Sequence, residues 1–292
     1  MIDASDPPLV PPPDPKPRPA RFTPPPGACD CHCHIVGEAE TYPFTPNRSY
    51  TSPPAPLAAY ERMLETLGLS RGVIVQPSFY GTDNRCTLDA VATAPERLRA
   101  VVVVDPSIEG DELRRMHEAG ARGVRLNLLY KGGASRDDLE TLAAKVAPLG
   151  WHVQLLIDVS QFEQVEATMR ALPVPSVFDH VGHMPVARGL DHPGFRAMLR
   201  LLESGKSWVK VSGSYRITGE TEPPYDDVLP FARAAIGANP ERAVWGSDWP
   251  HPAVEIPMPN DGALLDMLAD WVPEENLRHR ILVDNPATLY GF

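Results

Sequence analysis

The segment Asp30-Cys31-His32-Cys33-His34 sets two imidazoles two residues apart. Side chains alternate along a strand, so Asp30, His32 and His34 are expected on one side and the cysteines on the other. Two imidazoles directed into a cavity from one strand are half of a metal site or an acid–base pair. The structural alternative is a pair of hydrogen-bonded core histidines among buried thiols. A zinc finger is disfavoured, because no second ligand pair sits at finger spacing. His180 lies in SVFDHVGH near the end of a strand candidate; Asp179 has the opposite parity and is expected to face the helices. Asp248 lies in WGSDWPH, and a carboxylate buried beside Trp245 and Trp249 is costly unless it is paired or used. That setting suits either a base of raised proton affinity or a carboxylate held by cations. His251 is a weaker candidate, one that orients its neighbours. Arg125 and Asn127 share parity in RGVRLNL, Lys131 follows in a loop, and Arg216 follows WVKVSGSY. Guanidinium groups bind carboxylates or sulfonates through paired donors, so the ligand is expected to be an anion.

The elements that must position these residues alternate from Ala28 onward. Strand candidates are CDCHCHIV, GVIVQPS, RAVVVV, RGVRLNL, HVQLLID, SVFDHVG, WVKVSGS and RAVWGSDW. They are short and apolar or β-branched, as strands buried on both faces should be. Helices are expected over 57–67, 88–94, 110–119, 137–149, 162–172, 194–204 and 225–238, with a last one from Gly262. Glycines close several of them, as in LGLSRGV and AGARGV. Eight such units predict an α/β fold of the (β/α)₈ TIM-barrel type, with the chemistry at the strand C-terminal ends. A doubly wound open sheet would carry a glycine-rich nucleotide turn after an early strand, and none appears. Residues 1–26 hold 11 of the 34 prolines, so they are read as an extended arm in front of a single 27–292 barrel. A second proline-rich stretch, 42–56, is expected to be a long loop beside the site.

The formal net charge of −11 argues against nucleic acid or an anionic membrane as partner. Cys29, Cys31 and Cys33 cannot easily bridge one another, Cys86 is alone, and no disulfide framework is visible. The N-terminus lacks a basic segment followed by an apolar run, and no stretch approaches about 18 apolar residues. The expected location is cytoplasmic; a homo-oligomer is left open.

His-x-His on strand one, His180 on strand six and Asp248 on strand eight together resemble the amidohydrolase superfamily. YPFTPNRSYTSP, IVQPSFYGTDN, AGARGVRLN, FDHVGH, WGSDWPHP and LVDNPATLYGF are similar to its branch of 2-pyrone-4,6-dicarboxylate lactonases and sulfomuconolactone hydrolases. The resemblance implies that Asp248 activates water for attack on a ring carbonyl, while His32, His34 and His180 polarise it. It assigns Arg125, Lys131 and Arg216 to acid groups of the substrate, and Tyr50 and Ser78 to polar pocket positions; Asn127, sharing the parity of Arg125, is a further substrate-binding candidate. It leaves the metal open: His32, His34, His180 and Asp248 match the donor set of one Zn²⁺, yet using all four leaves no open position. Asp158 is a further ligand candidate, or else structural.

The chain departs from the pyrone-dicarboxylate pattern at Lys131 for an arginine, Leu156 for a tyrosine and Ala253 for an asparagine. These changes favour hydrolysis of a small lactone with one carboxylate and a differently shaped second group, as in a sulfomuconolactone. The alternatives are a 2-pyrone-4,6-dicarboxylate lactonase, a metal-dependent decarboxylase, a sugar-acid lactone isomerase and a non-catalytic acid-binding barrel.

Overall fold

The computed structural model describes residues 7–127, 129, 138–162 and 164–292. Among these, eight parallel strands follow in sequence order: β1 (Cys29–Cys33), β2 (Arg71–Val75), β3 (Leu98–Val102), β4 (Ala121–Asn127), β5 (His152–Leu156), β6 (Ser176–Phe178), β7 (Ser207–Val211) and β8 (Ala243–Trp245). The ring closes where Asp248 N–H donates to the His32 carbonyl and His34 N–H to the Trp249 carbonyl, each at 2.7 Å. The helices are α1 (Leu57–Leu67), α2 (Arg85–Ala92), α3 (Gly110–Glu118), α4 (Leu139–Val146), α5 (Val165–Ala171), α6 (Pro193–Glu203), α7 (Leu229–Ala238), α8 (Asp261–Trp271), α9 (Glu275–His279) and α10 (Asn285–Tyr290). The fold is a (β/α)₈ barrel, as the alternation of strand and helix candidates predicts. No helix among the described residues is long and apolar enough to cross a membrane. All four cysteines are buried and unbridged.

Two apolar layers hold the barrel together. Inward-turned Val73, Val75, Val101, Val177 and Val244 pack with Cys29 and Cys31, and Tyr290 closes this layer. The opposite strand faces pack under the helices through residues such as Ile74, Ala100, Leu126 and Val209. Strand β1 departs from simple alternation, because its pairing with β2 shifts register between Asp30 and Cys33. A bulge of this kind adds a residue and re-aims side chains. Asp30 therefore does not share the face of the histidines: it accepts hydrogen bonds from Tyr60 of α1 at 3.1 Å and from the Ser247 hydroxyl at 2.6 Å. Cys33 joins the outer layer while Cys29 and Cys31 stay within.

Helix boundaries move where local geometry intervenes. Helix α2 starts at Arg85, three residues earlier than the apolar pattern suggests. Helix α7 starts at Leu229, since Tyr225 takes φ 51, a left-handed value that ends any helical run. Residues 7–26 lie along the surface. Leu9 bridges Thr51, with Val10 N–H donating to the Thr51 carbonyl at 2.9 Å. Farther on, Arg18 N–H donates to Asn260 Oδ1 at 3.2 Å, and Arg18 pairs with Asp266 of α8 at 2.6 Å.

Candidate active site

The strand C-terminal ends bring His32, His34, His180 and Asp248 together, all buried. Asp248 follows β8 with φ 66, and His180 and Val181 follow β6 with φ 51 and 54. Left-handed backbone at non-glycine residues, a β-branched one included, costs energy and clusters where function over-determines it. Two glycines clear the space. A Cβ on Gly246 would lie 2.7 Å from the Cβ of His32, and one on Gly213 would lie 2.5 Å from His180 Nδ1.

The turn at His180 also corrects the reading of Asp179. Strand alternation stops at Phe178, so Asp179 and His180 both reach the interior. Asp179 Oδ1 sits 3.3 Å from His32 Nδ1, and Asp179 Oδ2 accepts from Arg125 Nε and Nη2 at 3.3 and 3.2 Å and from Gln154 at 3.1 Å. Buried Lys210 of β7 completes this floor. Its Nζ donates to the Cys31 carbonyl at 2.8 Å and Gln154 Oε1 at 2.7 Å, and lies 3.3 Å from His32 Nδ1.

Asp248 presents two unlike oxygens. Oδ2 accepts from the Tyr215 hydroxyl and from Arg216 Nε, each at 2.6 Å. Oδ1 has no hydrogen bond and lies 3.6 Å from the Nε2 atoms of both His32 and His34. Burial alone would raise this carboxyl, but the Arg216 guanidinium foremost holds it well below the usual carboxylate range. Of the two environments the sequence allows, the cation-held carboxylate is the one present. The imidazoles are neutral for the converse reason. Burial lowers His32 to about 3, with Lys210 adding to the effect, and it lowers His34 and His180 as well.

A hydrogen bond fixes where the His34 ring carries its proton. His34 Nδ1 lies 2.7 Å from the Val75 carbonyl, which can only accept, so Nδ1 holds the proton and Nε2 is a bare acceptor. His180 Nδ1 meets the Ser212 hydroxyl at 2.9 Å. His32, His34 and Asp248 form one group with donor atoms within 4.8 Å of one another, and His32, Asp179 and His180 a second; both are able by spacing to hold a metal. His32 is the obstacle. The Lys210 ammonium is aligned for a hydrogen bond to its Nδ1 and Asp179 Oδ1 receives none, an arrangement that suits a ring proton on Nε2, where a ligand needs a lone pair. Asp158 is not among these groups. It caps its own loop through Ser160 and Gln161.

A narrow pocket opens above this floor, lined by His34, Tyr50, Ser78, Arg125, Asn127, Leu156, His180, Arg216, Asp248 and Pro252. Lys131 lies outside the described residues. Arg125 is steadied from behind by Asp179 and by the Gln76 carbonyl, and Arg216 by Asp248 and the Pro252 carbonyl. His251 stands behind the wall. Its Nδ1 meets the Tyr215 hydroxyl at 3.1 Å and its Nε2 meets Asp261 at 3.0 Å. Sequence reasoning missed Tyr215, Gln154 and Lys210. For Lys210 the signal was available: a lysine inside WVKV, a strand buried on both faces, must have partners.

A family profile described as amidohydrolase matches residues 29–292. The 4-sulfomuconolactone hydrolase of Hydrogenophaga intermedia is 36% identical, over 88% of this chain and 86% of its own. The 2-pyrone-4,6-dicarboxylate hydrolase of Comamonas testosteroni is also 36% identical, over 88% of each. A crystal structure of an apo protein from Agrobacterium tumefaciens superposes with a TM-score of 0.85 at 31% identity, covering 94% of this chain and 98% of that one.

Proposed function

The chain belongs to the amidohydrolase family, and from that premise we propose that it opens the ring of a small anionic lactone by hydrolysis. One observation supports this reading above the others. An ionised carboxylate oxygen without a hydrogen bond, Asp248 Oδ1, faces two neutral imidazoles at 3.6 Å beneath a pocket walled by two guanidinium groups. Asp248 Oδ1 and His34 Nε2 are both acceptors, and His32 Nε2–H is a donor. One water at about 2.8 Å from each would accept from His32 and donate to the other two, leaving a lone pair for the ester carbon.

As that bond forms, Asp248 Oδ1 takes the water's proton, and the carbonyl oxygen becomes an oxyanion. His180 is the donor assigned to it, with Ser212 donating to Nδ1 so that Nε2 carries the proton. Collapse breaks the ring C–O bond, and Asp248 returns its proton to the departing oxygen. Arg125 and Arg216 hold the substrate's acid group, and Arg216 also keeps Asp248 ionised. His34 thus seats the water, a different task from the carbonyl polarisation that the resemblance implies.

Zn²⁺ is the cation whose donor preferences His32, His34, His180 and Asp248 match, and such an ion, when bound, polarises a carbonyl and acidifies water. With its proton on Nε2, His32 does not fit the role of ligand, and no step above depends on one. The proposed substrate is of the sulfomuconolactone type. Buried Leu156 replaces a polar group in the pocket wall, and Ala253 removes another beside it. Spectrophotometric screening of anionic lactones, with and without a chelator, tests the proposal. Ring opening that Asp248→Asn abolishes is the expected result. Release of CO₂ would turn the reading to a decarboxylase, and tight binding without product to a non-catalytic barrel.

A further inference from the structure

The mechanism leaves one buried charge unexplained. Lys210 is fully buried and its ammonium has three hydrogens. Two are spent on the Cys31 carbonyl and Gln154 Oε1, at 2.8 and 2.7 Å. The third has two claimants, His32 Nδ1 at 3.3 Å and Asp179 Oδ1 at 3.7 Å. His32 Nδ1 in turn lies 3.3 Å from that same carboxylate oxygen. A ring nitrogen can bear a hydrogen or a lone pair, never both. Were the hydrogen on Nδ1, it would point to Asp179 and leave Nε2 bare. With the lone pair there, Lys210 donates to it and Nε2 bears the hydrogen. The ammonium is aligned for a hydrogen bond and Asp179 Oδ1 receives none.

We propose that Lys210 and Asp179 contend for the Nδ1 of His32, and that their balance decides whether the barrel floor admits a divalent cation. Lys210 holds His32 in the form that repels a metal and donates to water. Asp179 is the partner that would convert it into a ligand. His34 on the same strand is locked in the opposite form by the Val75 carbonyl. One strand thereby supplies a donor and an acceptor to the same side of Asp248, an asymmetry that a metal site would not need. Lys210 is a positioning residue, acting only through His32.

The measurement is Zn²⁺ affinity of the full-length, chelator-stripped protein, read by competition with a chromogenic chelator. Lys210→Met should bind Zn²⁺ about tenfold to a hundredfold more tightly than the parent, the range over which partners behind a ligand act. Adding Asp179→Asn to Lys210→Met should erase the gain, because the asparagine NH₂ can take the place of the ammonium. Equal Zn²⁺ affinity of the parent and Lys210→Met overturns the proposal, as does a gain that survives Asp179→Asn. Should either variant fail to fold, nitrogen-15 NMR of the unaltered protein reads the same point. His32 is expected with its proton on Nε2 and His34 on Nδ1; a proton on Nδ1 of His32 sinks the idea. None of these readouts uses a substrate, so a failed lactonase assay leaves the inference standing, and the reverse.

Discussion

Asp248 is gripped on one oxygen and left open on the other, and the grip is itself supported. Tyr215 donates to Oδ2 at 2.6 Å, His251 meets Tyr215, and Asp261 meets His251. Charge-assisted bonds of that length orient strongly. Tyr215→Phe is expected to lower kcat about tenfold to hundredfold with KM little changed, because orientation matters most as the proton moves. His251→Phe should follow in the same direction with a smaller loss, and steady-state kinetics separates the two. Arg125→Met should instead raise KM, since it removes substrate binding. The histidines and Asp248 were legible from residue type and position. Tyr215 was not, because it lies in a turn after β7 where no periodicity says which way a side chain points. Asp179 was misplaced for a related reason: counting alternate residues fails once the chain enters a left-handed turn.

At the scale of elements, the site depends on close passage between β1 and the segment after β8. Gly246→Ala would drive a methyl against the Cβ and backbone nitrogen of His32, at 2.7 and 2.9 Å. Neither is the end of a flexible chain, so the backbone must move. A stability loss of about 1–3 kcal/mol is expected from such overpacking, together with loss of activity, and urea unfolding beside the lactone assay checks both. Gly37→Ala collides with the ring of Tyr42, a partly exposed side chain, and meets Cys86 Sγ at an ordinary 3.4 Å, so it should lose less activity. Strand positions were readable because apolar β-branched runs between turns have few other fates. The bulge in β1 was not, since nothing in CDCHC marks where pairing with β2 slips.

For the molecule as a whole, the buried imidazoles set the response to acid. Burial lowers His32 and His152 to about 3 and His183 to about 4, whereas an unfolded chain protonates them near about 6.5. Between those values the unfolded state binds more protons, so stability rises with pH. Asp30 opposes this: burial raises it to about 6, so its contribution is full below about 3.9 and lost as pH climbs through 6. Three groups outweigh one, and Tm should fall steadily from pH 6.5 to 4; a maximum near pH 4.5 would contradict the assignment. The barrel was predictable because its repeat is coarse. The course of the N-terminal segment was not, since proline content restricts conformation without naming a neighbour. That course has a practical side. Near Leu9 the segment is stitched to Thr51, next to Tyr50 in the pocket wall, and at Arg18 it is clamped to Asp266, on the helix that begins with Asp261. A version trimmed to start at residue 22 should therefore remain a barrel yet turn over substrate with a raised KM. Trimming ends for crystallisation would then alter the catalyst itself, as kinetics before and after the cut would reveal.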